Sequence, residues 1–187
     1  MAHLSALPTL TGTPGLGRNA LCTARMRLVP SSARHLRADL EGPETLSREL
    51  GASVSDDWPP DIAAADRPAL CAMLEADPAL VGWLPWYWVA QDTPTASLVG
   101  FGGFGGRPEA GRVDLAYAVV PGSQRRGYAT EAVGALVAWA FGSGRVRRVD
   151  AETLPHLTAS VAVLESNGFS QTSGSTGTGV MHFSRVA

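Results

Sequence analysis

The sequence predicts a single α/β domain built on a mixed sheet, and three observations carry that prediction. Residues Arg112 to Val120 alternate, with Val113, Leu115, Tyr117 and Val119 on one face and Asp114, Ala116, Ala118 and Val120 on the other, the period of a strand. Directly afterwards Ala129, Ala132, Val133, Leu136, Val137, Ala140 and Phe141 recur at three-and-four spacing, the stripe of an amphipathic helix. The segments from there on read strand, helix, strand, helix, strand, strand, and 187 residues suffice for one such domain.

In chain order, residues 1–23 are rich in Thr, Gly and Pro and read as a disordered leader, so the domain is expected over 24–187. No basic segment followed by a continuous apolar run marks a secretion signal there. Arg25 to Val29 reads as a strand closed by Pro30, and Ser31 and Ser32 offer an N-cap for a short helix through Leu40. Glu44 to Leu50 is a second short helix, stopped by Gly51. The prolines of Asp56-Asp57-Trp58-Pro59-Pro60 forbid regular pairing, so that stretch is a loop. Arg67 to Ala76 is helical. Trp86 to Gln91 and Ser97 to Phe104 are aromatic and β-branched strands. Beyond the central strand and helix come a strand at Arg147 to Ala151 and a helix at Thr158 to Asn167, stopped by Gly168. A strand pair at Phe169 to Ser173 and Val180 to Arg185 encloses a flexible turn.

Composition excludes several chemistries. All 15 basic side chains are Arg, so a Schiff-base or pyridoxal-phosphate enzyme and a P-loop NTPase, each needing a lysine, are ruled out. Any anion must be held by guanidinium forks, hydroxyls or backbone N–H groups. No apolar run of about 18 residues exists, so no membrane span is expected. A net charge of −2 gives no electrostatic case for nucleic acid. Cys22 and Cys71 are too few for a disulfide framework, which favours a reduced, cytoplasmic setting. His3, His35, His156 and His182 show no metal-ligand spacing, so no metal is expected, and His156 is read as a surface residue.

Two glycine-containing stretches compete as phosphate sites. Gly100-Phe101-Gly102-Gly103-Phe104-Gly105 matches G-x-G-x-x-G, but that fingerprint requires its last glycine to open a helix, and here a turn and another strand follow. Glycines inside a strand more often admit a close backbone approach. The segment Val119-Val120-Pro121-Gly122-Ser123-Gln124-Arg125-Arg126-Gly127-Tyr128-Ala129-Thr130 instead runs from a strand end into a helix start. The first turn of that helix offers unbonded N–H groups and the positive end of the macrodipole. Gly127 and Ala129 leave the backbone open to a diphosphate, with Gln124, Arg125, Arg126 and Thr130 as further donors.

Gln124–Val133, QRRGYATEAV, resembles motif A of the GNAT acetyltransferases, Q/R-x-x-G-x-G/A. VDLAYAVVP before it resembles that family's fourth strand, and Glu152–Phe169 its later strand–helix block. RMRLVPSSARHL is similar to the opening of the branch containing ribosomal-protein N-terminal acetyltransferases. The resemblance runs from about Arg25 to the C-terminus. It implies the GNAT acyl-CoA N-acyltransferase fold, with a mostly antiparallel sheet flanked by helices, and acetyl-CoA as donor to an amine. The pantetheine arm would pair with Val119 and Val120, and the diphosphate would rest on the N–H groups of Arg125, Arg126, Gly127, Tyr128, Ala129 and Thr130. The chain departs from the pattern where the later block usually has Asn and Tyr, which here are Leu157 and Leu164. Thr158 is the substitute cap the sequence offers, and Ser160 or a water is the remaining candidate to protonate the leaving thiolate.

Transfer to an amine also needs a proton acceptor. Asp114, where relatives often carry Glu, is the first candidate base, although a strand carboxylate serves equally as a structural acceptor. Asp150 and Glu152 are weaker candidates. Trp58, Trp83, Trp86, Tyr87 and Trp88 are expected mainly in packing, with a sharper reading in which some of them, with Asp56-Asp57, line a pocket for a cationic amine. The expected function is acetyl transfer from acetyl-CoA to a primary amine by direct attack, the acceptor being a protein N-terminus or a small molecule. The alternative, motivated by Leu157 and Leu164, is a catalytically weak acyl-CoA-binding or sensing module. A homodimer is left open.

Overall fold

A computed structural model describes residues 20–60, 66–173 and 179–187 of the chain. Along it run β1 (Leu21–Cys22), β2 (Met26–Pro30), α1 (Ala33–Glu41), α2 (Pro43–Leu50), α3 (Arg67–Ala76), β3 (Pro85–Ala90), β4 (Ser97–Phe104), β5 (Arg112–Val119), α4 (Tyr128–Gly142), β6 (Arg148–Thr153), α5 (Thr158–Ser166), β7 (Ser170–Ser173) and β8 (Met181–Val186). The strands form one sheet in the order β1-β2-β3-β4-β5-β6-β8-β7. Among the described residues only β5 and β6 are parallel neighbouring strands, so the sheet is mixed and mostly antiparallel, as expected.

Helices cover both faces, which is why β2, β3 and β4 are buried almost throughout rather than alternating. Leu36, Leu46, Leu50 and Leu74 from α1, α2 and α3 pack against Val29, Tyr87 and Phe101 on one face. On the other, Val133, Leu136 and Val137 of α4 and Leu164 of α5 meet Leu28, Trp86, Trp88 and Phe104. Ser32 caps α1 by accepting the His35 N–H at 3.2 Å, and Gly51 ends α2 in the left-handed conformation at φ 60°.

The glycine hexamer is a packing device. A Cβ on Gly100 would stand 2.7 Å from Cε3 of Trp88, one on Gly103 2.9 Å from Cδ1 of Trp86, and one on Gly102 2.4 Å from Cβ of Tyr117. These bare positions seat two indoles of β3 and let β4 and β5 close together. The leader was expected to reach residue 23, yet Leu21 and Cys22 pair with Leu28 and Arg27 as an edge strand. Residues 1–19 of that leader, and most of the turn between β7 and β8, lie outside the described residues.

Candidate active site

The parallel ladder between β5 and β6 runs from Arg112–Arg148 to Leu115–Ala151 and stops, although β5 continues to Val119. Past that point β6 pairs only with β8. Backbone direction alternates along β5. The Asp114 carbonyl accepts the Gly105 N–H at 3.1 Å, and the Val120 N–H donates to Val99 O at 2.9 Å, so the even-numbered residues face β4. Tyr117 and Val119 therefore turn their N–H and C=O groups into the opening between β5 and β6. This corrects one expectation. Val120 has both backbone groups held within the protein, its N–H by Val99 and its carbonyl by the Ser123 N–H at 2.8 Å, so the groups that face the opening are those of Tyr117 and Val119. Gln124 donates from Nε2 to Val119 O at 3.1 Å, an amide standing where a ligand amide would bond.

At the end of this opening lies the loop that the sequence singles out as a candidate phosphate site, called the phosphate loop below. Arg125 and Gly127 both have positive φ, 61° and 81°, and Gly127 is the N-cap of α4. Among the described residues no side chain caps the helix, and the first intrahelical bond among its N–H groups is Glu131 N–H to Gly127 O at 3.1 Å. The N–H groups of Tyr128, Ala129 and Thr130 are thus open at the positive end of a 15-residue helix. Arg125 and Arg126 are exposed beside them. The Tyr128 side chain is fully buried with its hydroxyl donating to Asp92 at 2.8 Å, so only its backbone serves the loop. Arg25, bonded to Glu131 of α4, also donates to the Arg126 carbonyl of the loop at 2.8 Å; 106 residues separate Arg25 from Glu131, and no local pattern announces the contact.

Ser160, on α5, lies at the flank of the same opening. Its Oγ and its carbonyl oxygen are each 3.2 Å from the Tyr117 hydroxyl. Burial pushes the Tyr117 hydroxyl above the usual phenol range, against a smaller opposing effect of Ser160, so it stays a proton donor at neutral pH. Leu164 is fully buried in the core, and Leu157 is the N-cap of α5 with no side-chain cap bond. Thr158 is the first residue of that helix and does not cap it.

Asp114 projects from the opposite face of β5, exposed and with no side-chain hydrogen bond among the described residues. Asp150, level with it on β6, is held by Arg112 at 2.7 Å and Arg148 at 2.6 Å, which gives it a structural role. Glu152 lies beyond the last β5–β6 pair and contacts His182 Nδ1, its neighbour on β8, at 3.1 Å. Arg112, Asp114, Arg148, Asp150, Glu152 and His182 line one shallow cleft. The five clustered aromatics differ in burial. Trp83, Trp86, Tyr87 and Trp88 are buried, whereas Trp58 is half-buried, with Nε1 donating to Asp39 Oδ1 at 2.8 Å and its ring against Phe101. The neighbouring Asp57 carboxylate approaches Gly122, next to the phosphate loop. His156 is exposed. Among the described residues no group of three acidic, His or Cys side chains could hold a metal, and no helix is long and apolar enough to cross a membrane.

Comparison with known proteins falls on the same region. A family profile described as "Acetyltransferase (GNAT) domain" matches residues 57–170, which contain the opening, the phosphate loop and Ser160. An uncharacterized N-acetyltransferase, YjdG of Bacillus subtilis, is 28% identical over 148 residues, covering 79% of this chain and 87% of that protein. Two solved structures share the fold. RimL, a ribosomal L7/L12 alpha-N-protein acetyltransferase in complex with coenzyme A, has a TM-score of 0.60 at 17% identity, over 88% of this chain and 95% of its own. The microcin C7 self-immunity acetyltransferase MccE, in complex with acetyl-CoA and AMP, has a TM-score of 0.60 at 14% identity, over 94% and 98%.

Proposed function

The chain belongs to the GNAT acetyltransferase family, and from that premise we propose that it moves the acetyl group of acetyl-CoA onto a primary amine by direct attack. One observation carries this reading: an uncapped helix N-terminus lies at the end of a strand edge that has lost its neighbour. The first suits a diphosphate and the second an amide-bearing arm. The diphosphate would sit on the N–H groups of Arg125 to Thr130, with the side chains of Arg125 and Arg126 outside it. The pantetheine amides would pair with Tyr117 and Val119, displacing the Gln124 amide, and the thioester would lie where β5 and β6 part.

The acceptor would enter from the face that carries Asp114, with the Asp57–Trp58 loop at its rim. Asp114, directly or through a water, takes a proton as the amine nitrogen bonds to the acetyl carbon. A β5 N–H facing the opening supports the developing oxyanion. The carbon–sulfur bond then breaks, and the thiolate takes a proton from Ser160, which the Tyr117 hydroxyl can replenish. Acid and base stand on opposite faces of β5, so the parted strands are where the two substrates meet. RimL and MccE bind CoA or acetyl-CoA by their descriptions, and RimL acts on a protein α-amino group, which supports an amine acceptor of peptide or small-molecule kind.

The test is thiol release from acetyl-CoA across a panel of amines, including peptides with free N-termini, polyamines and amino-acid derivatives. Amine-dependent release is expected, and Asp114→Asn should lower kcat/KM roughly tenfold or more. Tight CoA binding without release on any amine would favour a sensing module instead. A rate-versus-pH profile unchanged in Asp114→Asn would remove Asp114 from its role.

A further inference from the structure

Arg25 stands just before β2, 106 residues from Glu131 in sequence, yet it makes three hydrogen bonds at the phosphate loop. Its backbone N–H donates to Glu131 Oε1 at 2.9 Å and its Nε to Oε2 at 2.7 Å. Its Nη1 donates to the Arg126 carbonyl at 2.8 Å. The guanidinium also lies over the Tyr128 ring, 5.0 Å from its centroid, with Arg126 over the same ring at 5.4 Å. Its remaining nitrogen, Nη2, is 3.2 Å from where a Gly127 Cβ would be.

We infer that Arg25 is a positioning residue for the diphosphate of CoA, aiming the Gly127 N–H into the loop and neutralising Glu131 beside it. The inference rests on the acetyl-CoA reading above. The Arg126–Gly127 peptide is trans, so its C=O and N–H point in opposite directions. Holding the carbonyl on Arg25 turns the Gly127 N–H away from that guanidinium, on the side left for the diphosphate. The flanking residues Arg125 and Gly127 are both left-handed, a conformation that persists only where neighbours impose it, and alternating backbone of this kind gathers N–H groups around an anion. The charge argument is independent. Glu131 sits in the first turn of α4, where a free carboxylate would repel a diphosphate, and its fork with Arg25 cancels that charge. Asp92 stands 4.0 Å from Nη1 and accepts the Tyr128 hydroxyl, which fixes the ring the guanidinium covers.

The experiment is titration of the full chain with CoA and with pantetheine, which lacks the diphosphate, in wild type, Arg25→Met and Arg25→Lys. Methionine keeps a stem over Tyr128 but no donor. We expect Arg25→Met to weaken CoA binding tenfold or more while pantetheine affinity stays within twofold. Arg25→Lys keeps the charge without the fork and should recover only part of the loss. Equal weakening for both ligands would mark a merely structural residue and overturn the inference, as would an unchanged CoA affinity. Full recovery with lysine would overturn the aiming of the peptide. Should the variants fail to fold, glycine-labelled wild type tests the aimed N–H itself. Its Gly127 amide resonance should move with CoA and not with pantetheine, and an unmoved resonance at saturating CoA defeats the proposal. Wild type that binds no CoA at all would instead end the acetyl-CoA reading itself.

Discussion

Glu131 shows how one side chain joins stability to binding. Burial pushes its carboxyl up, but the hydrogen bonds from Thr23 and from the Arg25 backbone and guanidinium together bring it below its usual 4.5. A carboxylate with a depressed folded-state pKa adds stability above its unfolded pKa, and that stability is lost as pH falls through the folded value. Glu131→Gln should therefore cost about 1–2 kcal/mol near neutral pH, with the gap to wild type closing as pH drops from about 6 toward 3. Thermal melts of both proteins across that range check it, and a gap independent of pH would contradict the assignment. Tyr117 makes a second residue-scale point. As one apolar position of an alternating strand it carried no chemical signal, and it enters the proposed site because β6 leaves β5 beside it and its hydroxyl reaches Ser160. Val120, which the family resemblance placed beside Val119 on the pantetheine arm, has its N–H and carbonyl held by Val99 and Ser123 instead.

At the scale of elements, legibility followed burial. β5 and α4 each present one covered and one less covered face, so their periods were plain, and α3 runs over Arg67–Ala76 as its composition suggested. β1 was missed because two residues carry no period at all, and pairing with β2 alone makes them a strand. The uncapped start of α5 was foreshadowed by Leu157, but Thr158 could not substitute, since a residue already inside the helix has left the capping position. In β4 the glycines are legible only once Trp86 and Trp88 are known to lie across them. Gly102→Ala would set a Cβ 2.4 Å from Tyr117 Cβ and 2.7 Å from Ala116 O, and backbone cannot yield cheaply. About 1–3 kcal/mol of destabilisation is expected, the usual scale of overpacking, with weaker CoA binding because Tyr117 lines the opening. Denaturant unfolding measures the first, and a stability equal to wild type would show that the strands are not packed this closely.

For the whole molecule, the sheet order was the feature the sequence could not supply. Inserting β8 between β6 and β7 sets β6 against an antiparallel neighbour on one side and β5 on the other. The opening forms where the β5 ladder ends while the β8 ladder continues, and neither strand alone records it. The N-terminal helices cover one face, α4 and α5 the other, and the parted strands join the two sides. The central claim is that CoA lies in this opening, its diphosphate on the start of α4 and its arm along β5. Amide hydrogen exchange on the full chain, with and without CoA, tests it most directly. New protection should appear at Arg125 to Thr130 and at Tyr117 and Val119, with β7 and the outer edge of β1 unchanged. Bound CoA that protects a different surface and leaves those amides as they were would contradict the account.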